Sequence, residues 1–145
     1  MPLRVQQESH VSGFGNFGAR AYVSVGVETG VSGSSPHALI LMLYDGALES
    51  LRKAIGCIEA GDPLGKTRAL SRATRIIDEG LRASLDHKAG GDLAGQLNAL
   101  YDYMLRRTMQ AGIDNDPAPI MESVRLLDGL RDAWASIQSD SQVAA

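Results

Sequence analysis

A single cysteine, Cys57, in 145 residues excludes an intramolecular disulfide and a zinc site built on cysteines. Charge of neither sign is concentrated. The formal net charge is −3 and the pI about 5.5, with Lys and Arg interleaved among Asp and Glu, a pattern that argues against nucleic-acid or polybasic membrane binding. No stretch reaches the roughly 18 apolar residues of a membrane span, and MPLRVQQESH lacks the apolar run of a secretory leader. The three histidines, His10, His37 and His87, lie far apart, and no Glu-x-x-His pair is available for a di-iron site. Haem attachment through Cys-x-x-Cys-His is absent. Gly90 to Gly95 lacks the lysine of a phosphate loop and comes after a helical pattern rather than a strand. Ser50-x-x-Lys53 has no companion motif, and Cys57 has no neighbouring histidine to activate it. The sequence therefore predicts no enzyme, no metal, no cofactor, no nucleic-acid partner and no membrane insertion. One cytoplasmic domain is expected, with 44% hydrophobic residues to build its core.

Helix signals fill the remainder. Ser35-Pro36 is an N-cap with proline at the first helical position, where no backbone donor is needed. Asp62-Pro63 and Asp116-Pro117 repeat the device, and Asp92 offers a further cap after Ala89-Gly90-Gly91. Gly61 and Gly112 read as stops. These signals delimit four helices, ending near Ala60, Lys88, Ala111 and Ile137. Their inward stripes are Leu41, Tyr44, Leu48, Leu51, Ile55, Ile58; Leu70, Ala73 or Thr74, Ile77, Leu81, Leu85; Leu93, Leu97, Leu100, Met104, Thr108, Ala111; and Ile120, Val124, Leu127, Leu130, Trp134, Ile137. Short connections make consecutive helices antiparallel neighbours. The expected fold is all-α, an up-down-up-down four-helix bundle over 35–138. A flexible Gly/Ser-rich segment over 1–34, with scattered apolar residues able to dock, precedes it, and a disordered tail over 139–145 ends the chain.

The first and third helices carry more apolar residues than one core can use. Leu39 to Tyr44 are six apolar or amphipathic residues in a row, which a helix distributes over its whole circumference. Leu43-Tyr44-Asp45 is echoed by Leu100-Tyr101-Asp102. One reading has Tyr44 and Tyr101 simply packing, with their hydroxyls at the bundle edge. The other has Ile40, Leu43 and Ala47, with Tyr101, Leu105 and Met109 and with Ile76 joining them, form apolar grooves on the outside. Such exposed patches mark protein-binding surfaces.

The stretches LILMLYDGAL (39–48), IIDEGLRASLD (76–86), LNALYDYMLRR (97–107), NDP (115–117) and LLDGLRDAW (126–134), with Ala21-Tyr22, Val27-Glu28-Thr29 and Ser35-Pro36, resemble the FliS family of flagellar export chaperones. The resemblance spans residues 21 to about 137. It implies a four-helix bundle that binds the disordered C-terminal segment of flagellin, prevents its premature polymerisation and delivers it to the type III export gate through the cytoplasmic domain of FlhA. It also implies that Tyr22 acts as a plug over a groove; from the apolar rows above, Ile40, Leu43, Tyr44, Ala47, Ile76, Tyr101, Leu105 and Met109 are the residues expected to meet the client. The chain departs from the family pattern at His37-Ala38, where charged residues usually come after Ser-Pro, and in the spacer Gly30 to Ser34. A self-associating bundle without a flagellin client, forming a weak homodimer, is the alternative.

Overall fold

The computed structural model describes residues 35–144, with side-chain surroundings over 35–137. Four helices run α1 (Pro36–Ala60), α2 (Pro63–Arg75, continuing into a π-helical segment Ile76–Arg82), α3 (His87–Asp114) and α4 (Ala118–Ala144). No strand occurs among the described residues. α1 packs most extensively against α2 and α4, and α3 closes the ring between them. This is the expected antiparallel four-helix bundle.

The helix ends are chemically specified. Ser35 Oγ accepts the Ala38 amide at 3.1 Å, and Pro36 occupies the first turn. At the other end of α1, Gly61 adopts φ 68°, the left-handed region where a Cβ is penalised. Its amide donates to Ile58 O, and that of Asp62 donates to Cys57 O at 2.8 Å, the paired bonds of a Schellman stop. The Asp62 side chain then acts as acceptor, its Oδ1 receiving the Gly65 amide at 3.0 Å. α3 stops at Asn115, also left-handed (φ 53°). There Lys66 Nζ donates to the Gly112 carbonyl at 2.9 Å and to Asn115 Oδ1 at 2.7 Å, placing a cation on the negative end of the helix. Asp116 Oδ1 accepts from Ala118 N at 3.0 Å and opens α4.

Four features depart from the sequence reading. The second helix turns at residues 83–86 rather than near Lys88, and Asp86 rather than Asp92 caps α3, accepting from Ala89 N at 2.9 Å. The break expected at the glycines survives as a kink inside α3, where Gly91 takes φ 54°, ψ −133°. Gly112 does not end α3; it sits within the helix, where a Cβ would stand 3.0 Å from Leu70 Cδ1. Finally, α4 runs on to Ala144, past the expected end of the bundle at residue 138.

Helix-period patterns do not announce the π-helical segment, but its cause lies in the sequence. The buried row of α2 is Ala69, Ala73, Ile77 and Leu81, continued by Leu85 in the turn, each four residues apart. At 3.6 residues per turn a spacing of four drifts about 40° per step. Winding part of the helix with i→i+5 bonds, such as Ala83 N to Asp78 O at 3.0 Å, absorbs that drift. Two glycines let α1 approach this segment: a Cβ on Gly80 would lie 3.1 Å from Leu43 Cδ2, and one on Gly46 would lie 3.3 Å from Ile76 Cδ1.

The core stripes also differ in detail. α3 buries Ala94, Leu97, Tyr101, Met104, Thr108 and Ala111, a strict alternation of three and four, leaving Leu93 and Leu100 half-buried. α1 buries Ile40, Tyr44, Ala47, Leu51 and Ala54 on the same alternation, with Leu48 beside them. In α4, Ser123 is buried while Val124 and Leu130 are only partly covered. Tyr44 and Tyr101 reach across the bundle from α1 and α3, their hydroxyl oxygens 2.7 Å apart.

Polar contacts fasten the periphery. His37 and Trp134 stack at 4.6 Å between ring centroids. The indole N–H donates to the His37 carbonyl at 2.9 Å, and His37 Nε2 donates to the Trp134 carbonyl at 2.7 Å. Asp45–Arg131 (2.9 Å) and Arg52–Asp128 (2.8 Å) cross between α1 and α4. As exposed pairs they add at most about 1 kcal/mol each.

Candidate functional site

The open apolar feature of the described surface is a groove of about 760 Å³ between α2 and α3. Its origin is the composition of α2. Ala69 and Ala73 are small, so the large side chain on that helix's inner flank is Leu70, which is pushed to the seam and stays half-buried. On α3 the residues one step off the core stripe, Leu105, Met109 and Ile113, recur every four positions and line the same channel. Met109 is 68% exposed and Ile113 70%. Exposed neighbours of this size and spacing form the kind of stripe on which an amphipathic helix lies.

Charges run along the channel, from Lys66 at the Gly112 end through Arg75 and Glu79 to Arg82 and Asp102. Arg82 bridges Asp78 at 3.0 Å and Asp102 at 3.6 Å, while Arg106 pairs with Asp102 at 3.3 Å. This knot of paired charges joins the π-helical segment to α3. On the next face, Tyr103 donates to Glu122 at 2.6 Å, with Arg107 3.5 Å from the same carboxylate. The phenol's hydrogen bond, aided by Arg107, holds the Glu122 carboxyl below its ordinary range. The same bond to an anion pushes the Tyr103 phenol above its own. Among the described residues, no three His, Cys, Asp or Glu side chains converge where they could hold a metal ion.

The residues singled out from the sequence separate into three groups. Tyr22 lies outside the described residues. Ile40, Tyr44, Ala47 and Tyr101 are fully buried, so the expectation that Ile40, Ala47 and Tyr101 form an outer groove is corrected: the three-four alternation turns them inward, and the two tyrosine hydroxyls meet each other in the core rather than at its edge. Leu43 and Ile76 are half-buried and fill the seam against Gly80 and Gly46. Of the set, Leu105 and Met109 line the channel. Leu70 and Ile113 complete it, the first expected in the core and the second beyond the expected helix end. The expected stop at Ala111 would leave Ile113 in a loop, but α3 runs to Asp114, and the spacing of four from Met109 is the signal that places Ile113 on the same row.

The chain is thus an all-helical bundle with short connections and an open groove along one seam. Comparison with known proteins narrows the class: the family model described as flagellar protein FliS matches residues 18–141, and the chain belongs to the FliS family. It is 48% identical to the flagellar secretion chaperone FliS of Salmonella typhimurium over 120 residues, covering 83% of this chain and 89% of that one. It is 40% identical to the flagellar secretion chaperone FliS of Escherichia coli over 117 residues (81% and 86%). With the protein of that name from Bacillus subtilis the identity is 38% over 114 residues (78% and 84%). No helix among the described residues is long and apolar enough to cross a membrane.

Proposed function

We propose that this chain is a cytoplasmic export chaperone that binds the disordered C-terminal segment of flagellin, keeps it from polymerising and presents it to the cytoplasmic domain of the export gate protein FlhA. Support comes from the names its relatives carry and from the α2–α3 groove, where Leu105 and the exposed Met109 and Ile113 form one apolar row. A client segment rich in amphipathic helix needs its apolar face covered, and laying it into a preformed groove covers it while the bundle itself remains rigid. Tyr22, by its family resemblance, serves as a plug that competes with the client.

Co-purification tests the reading. Full-length flagellin should be retained by the chaperone, flagellin lacking its C-terminal segment should not, and Met109→Glu should lose full-length flagellin without a change in fold. Retention of the truncated flagellin would overturn the assignment of the client segment. The alternative of a self-associating adaptor predicts instead a dimer in sedimentation without flagellin and no capture of it.

A further inference from the structure

Charge is spread evenly over the chain as a whole, with one exception. The regular part of α2, Pro63–Arg75, contains Lys66, Arg68, Arg72 and Arg75 and no acidic residue. None of these four forms an ion pair among the described residues, whereas Arg52, Arg82, Arg106, Arg107 and Arg131 all do. Lys66 is occupied at the end of α3. Arg68 and Arg72 lie instead on the flank of α2 turned to α1, where with Lys53 they line a cleft of about 440 Å³. Arg72 is anchored there without a counter-ion. It donates to Ser50 Oγ and to the Gly46 carbonyl, both neutral acceptors on α1, and Ser50 is itself buried. A guanidinium already held in place loses little freedom when a carboxylate arrives, and its remaining N–H groups suit the two oxygens. The acids on the cleft are Glu49 and Asp62, and Asp62 Oδ1 is engaged by the Gly65 amide. Nor does the rest of the chain bring a surplus of acid: residues 1–34 hold Glu8 and Glu28 against Arg4 and Arg20.

We propose that the α1–α2 cleft is a second docking surface, for an acidic segment of another protein whose carboxylates pair with Lys53, Arg68 and Arg72. The shape and the charge select a polypeptide over the other polyanions. A cleft walled by two helices admits single side chains, whereas an anionic membrane is met by a larger outward cluster of basic residues. Nucleic acid calls for a basic stripe on a basic domain, and this chain has a formal net charge of −3. The cleft lies on the opposite flank of α2 from the α2–α3 groove, so the inference does not rest on the reading of that groove.

Fluorescence anisotropy of a labelled oligoglutamate peptide, titrated with the full chain at low salt, tests the proposal. Wild type is expected to bind, and the double variant Lys53→Glu, Arg68→Glu to bind roughly five- to thirtyfold more weakly. Both positions are exposed, so its melting temperature should match wild type. The control is Lys88→Glu with Arg125→Glu, the same change of charge at two exposed cations off the cleft, expected to bind within about twofold of wild type. Arg72→Gln, which removes the anchored guanidinium, should also weaken binding, and Met109→Glu should not. Equal losses in the two double variants would show that overall charge alone attracts the peptide and would overturn the site. So would a wild type that ignores oligoglutamate, or one that binds phosphatidylserine vesicles or a DNA duplex in preference to it. Loss of flagellin by Met109→Glu bears on the groove alone, so the two readings fail separately.

Discussion

Tyr101 shows how much a one-residue rotation of a helix matters. Read from sequence, its ring competes with Leu100 for the inside, and leucine is the more apolar candidate. The structure turns Tyr101 inward, 2.7 Å from the Tyr44 hydroxyl, and leaves Leu100 half-covered. Burial of two tyrosines is tolerated where one hydroxyl donates to the other. Substitutions there should consequently report on stability. Tyr101→Ala is expected to destabilise the bundle by about 3–5 kcal/mol through the cavity it leaves, measured by urea denaturation. Tyr101→Phe, which breaks the bond but keeps the ring, should cost about 1–2 kcal/mol. A small loss for Tyr101→Ala would mean that the ring is not part of the core. Met109 behaves oppositely: it is exposed, so Met109→Glu should shift stability by no more than about 0.5 kcal/mol.

Among the elements, the ends are legible in the sequence and the winding is not. Ser35-Pro36, Asp62-Pro63 and Asp116-Pro117 announce three starts because capping is a local matter, decided by a side-chain oxygen and a missing amide hydrogen. Stripes are not local. A search that weighs large side chains prefers Leu41, Ile55 and Ile58, whereas α1 seals its inner face with Ala47 and Ala54. Small residues at the contact and large ones flanking it are what close helix packing requires, and pattern alone undervalues an alanine. The π-helical segment arises similarly from a row of residues spaced by four, two of them alanines. Gly80, pressed on Leu43, should not accept a larger residue: Gly80→Leu is expected to lose about 1–3 kcal/mol by overpacking, read as a lower denaturation midpoint. Where α3 meets α4, titration supplies another test. The Glu122 carboxyl is held below its ordinary value near 4.5, so the folded state favours its anion. That contribution is present above the ordinary value and disappears as pH falls through the lowered one. Wild type should therefore lose melting temperature more steeply than Glu122→Gln on acidification below about pH 4.5, and parallel profiles would show that the Tyr103–Glu122 contact does not bear on stability.

For the molecule as a whole, the architecture is readable from sequence and the docking face only partly so. Antiparallel order results from connections too short to permit anything else, whereas the location of an open seam depends on how closely each pair of helices approaches. α1 is clasped between α2 and α4, so its surplus of apolar residues is absorbed internally, while that on α3 borders the open groove against α2. Leu105 and Met109 are recoverable from the second apolar row of α3; Leu70 and Ile113 require the true end of that helix and the small residues of α2. A groove kept for a client also predicts a monomer when alone. Sedimentation at micromolar concentration should show one species near 15.4 kDa, and a stable dimer would indicate that a second copy covers the channel.

The brevity of the corners has a kinetic consequence. Two residues separate α1 from α2, four precede α3 and three precede α4, so most packing partners are near in sequence and little loop-closure entropy opposes their meeting. Chains of such low contact order fold in microseconds to milliseconds, far faster than a ribosome adds residues at about 5–20 per second. The bundle is therefore assembled almost as soon as its last helix emerges.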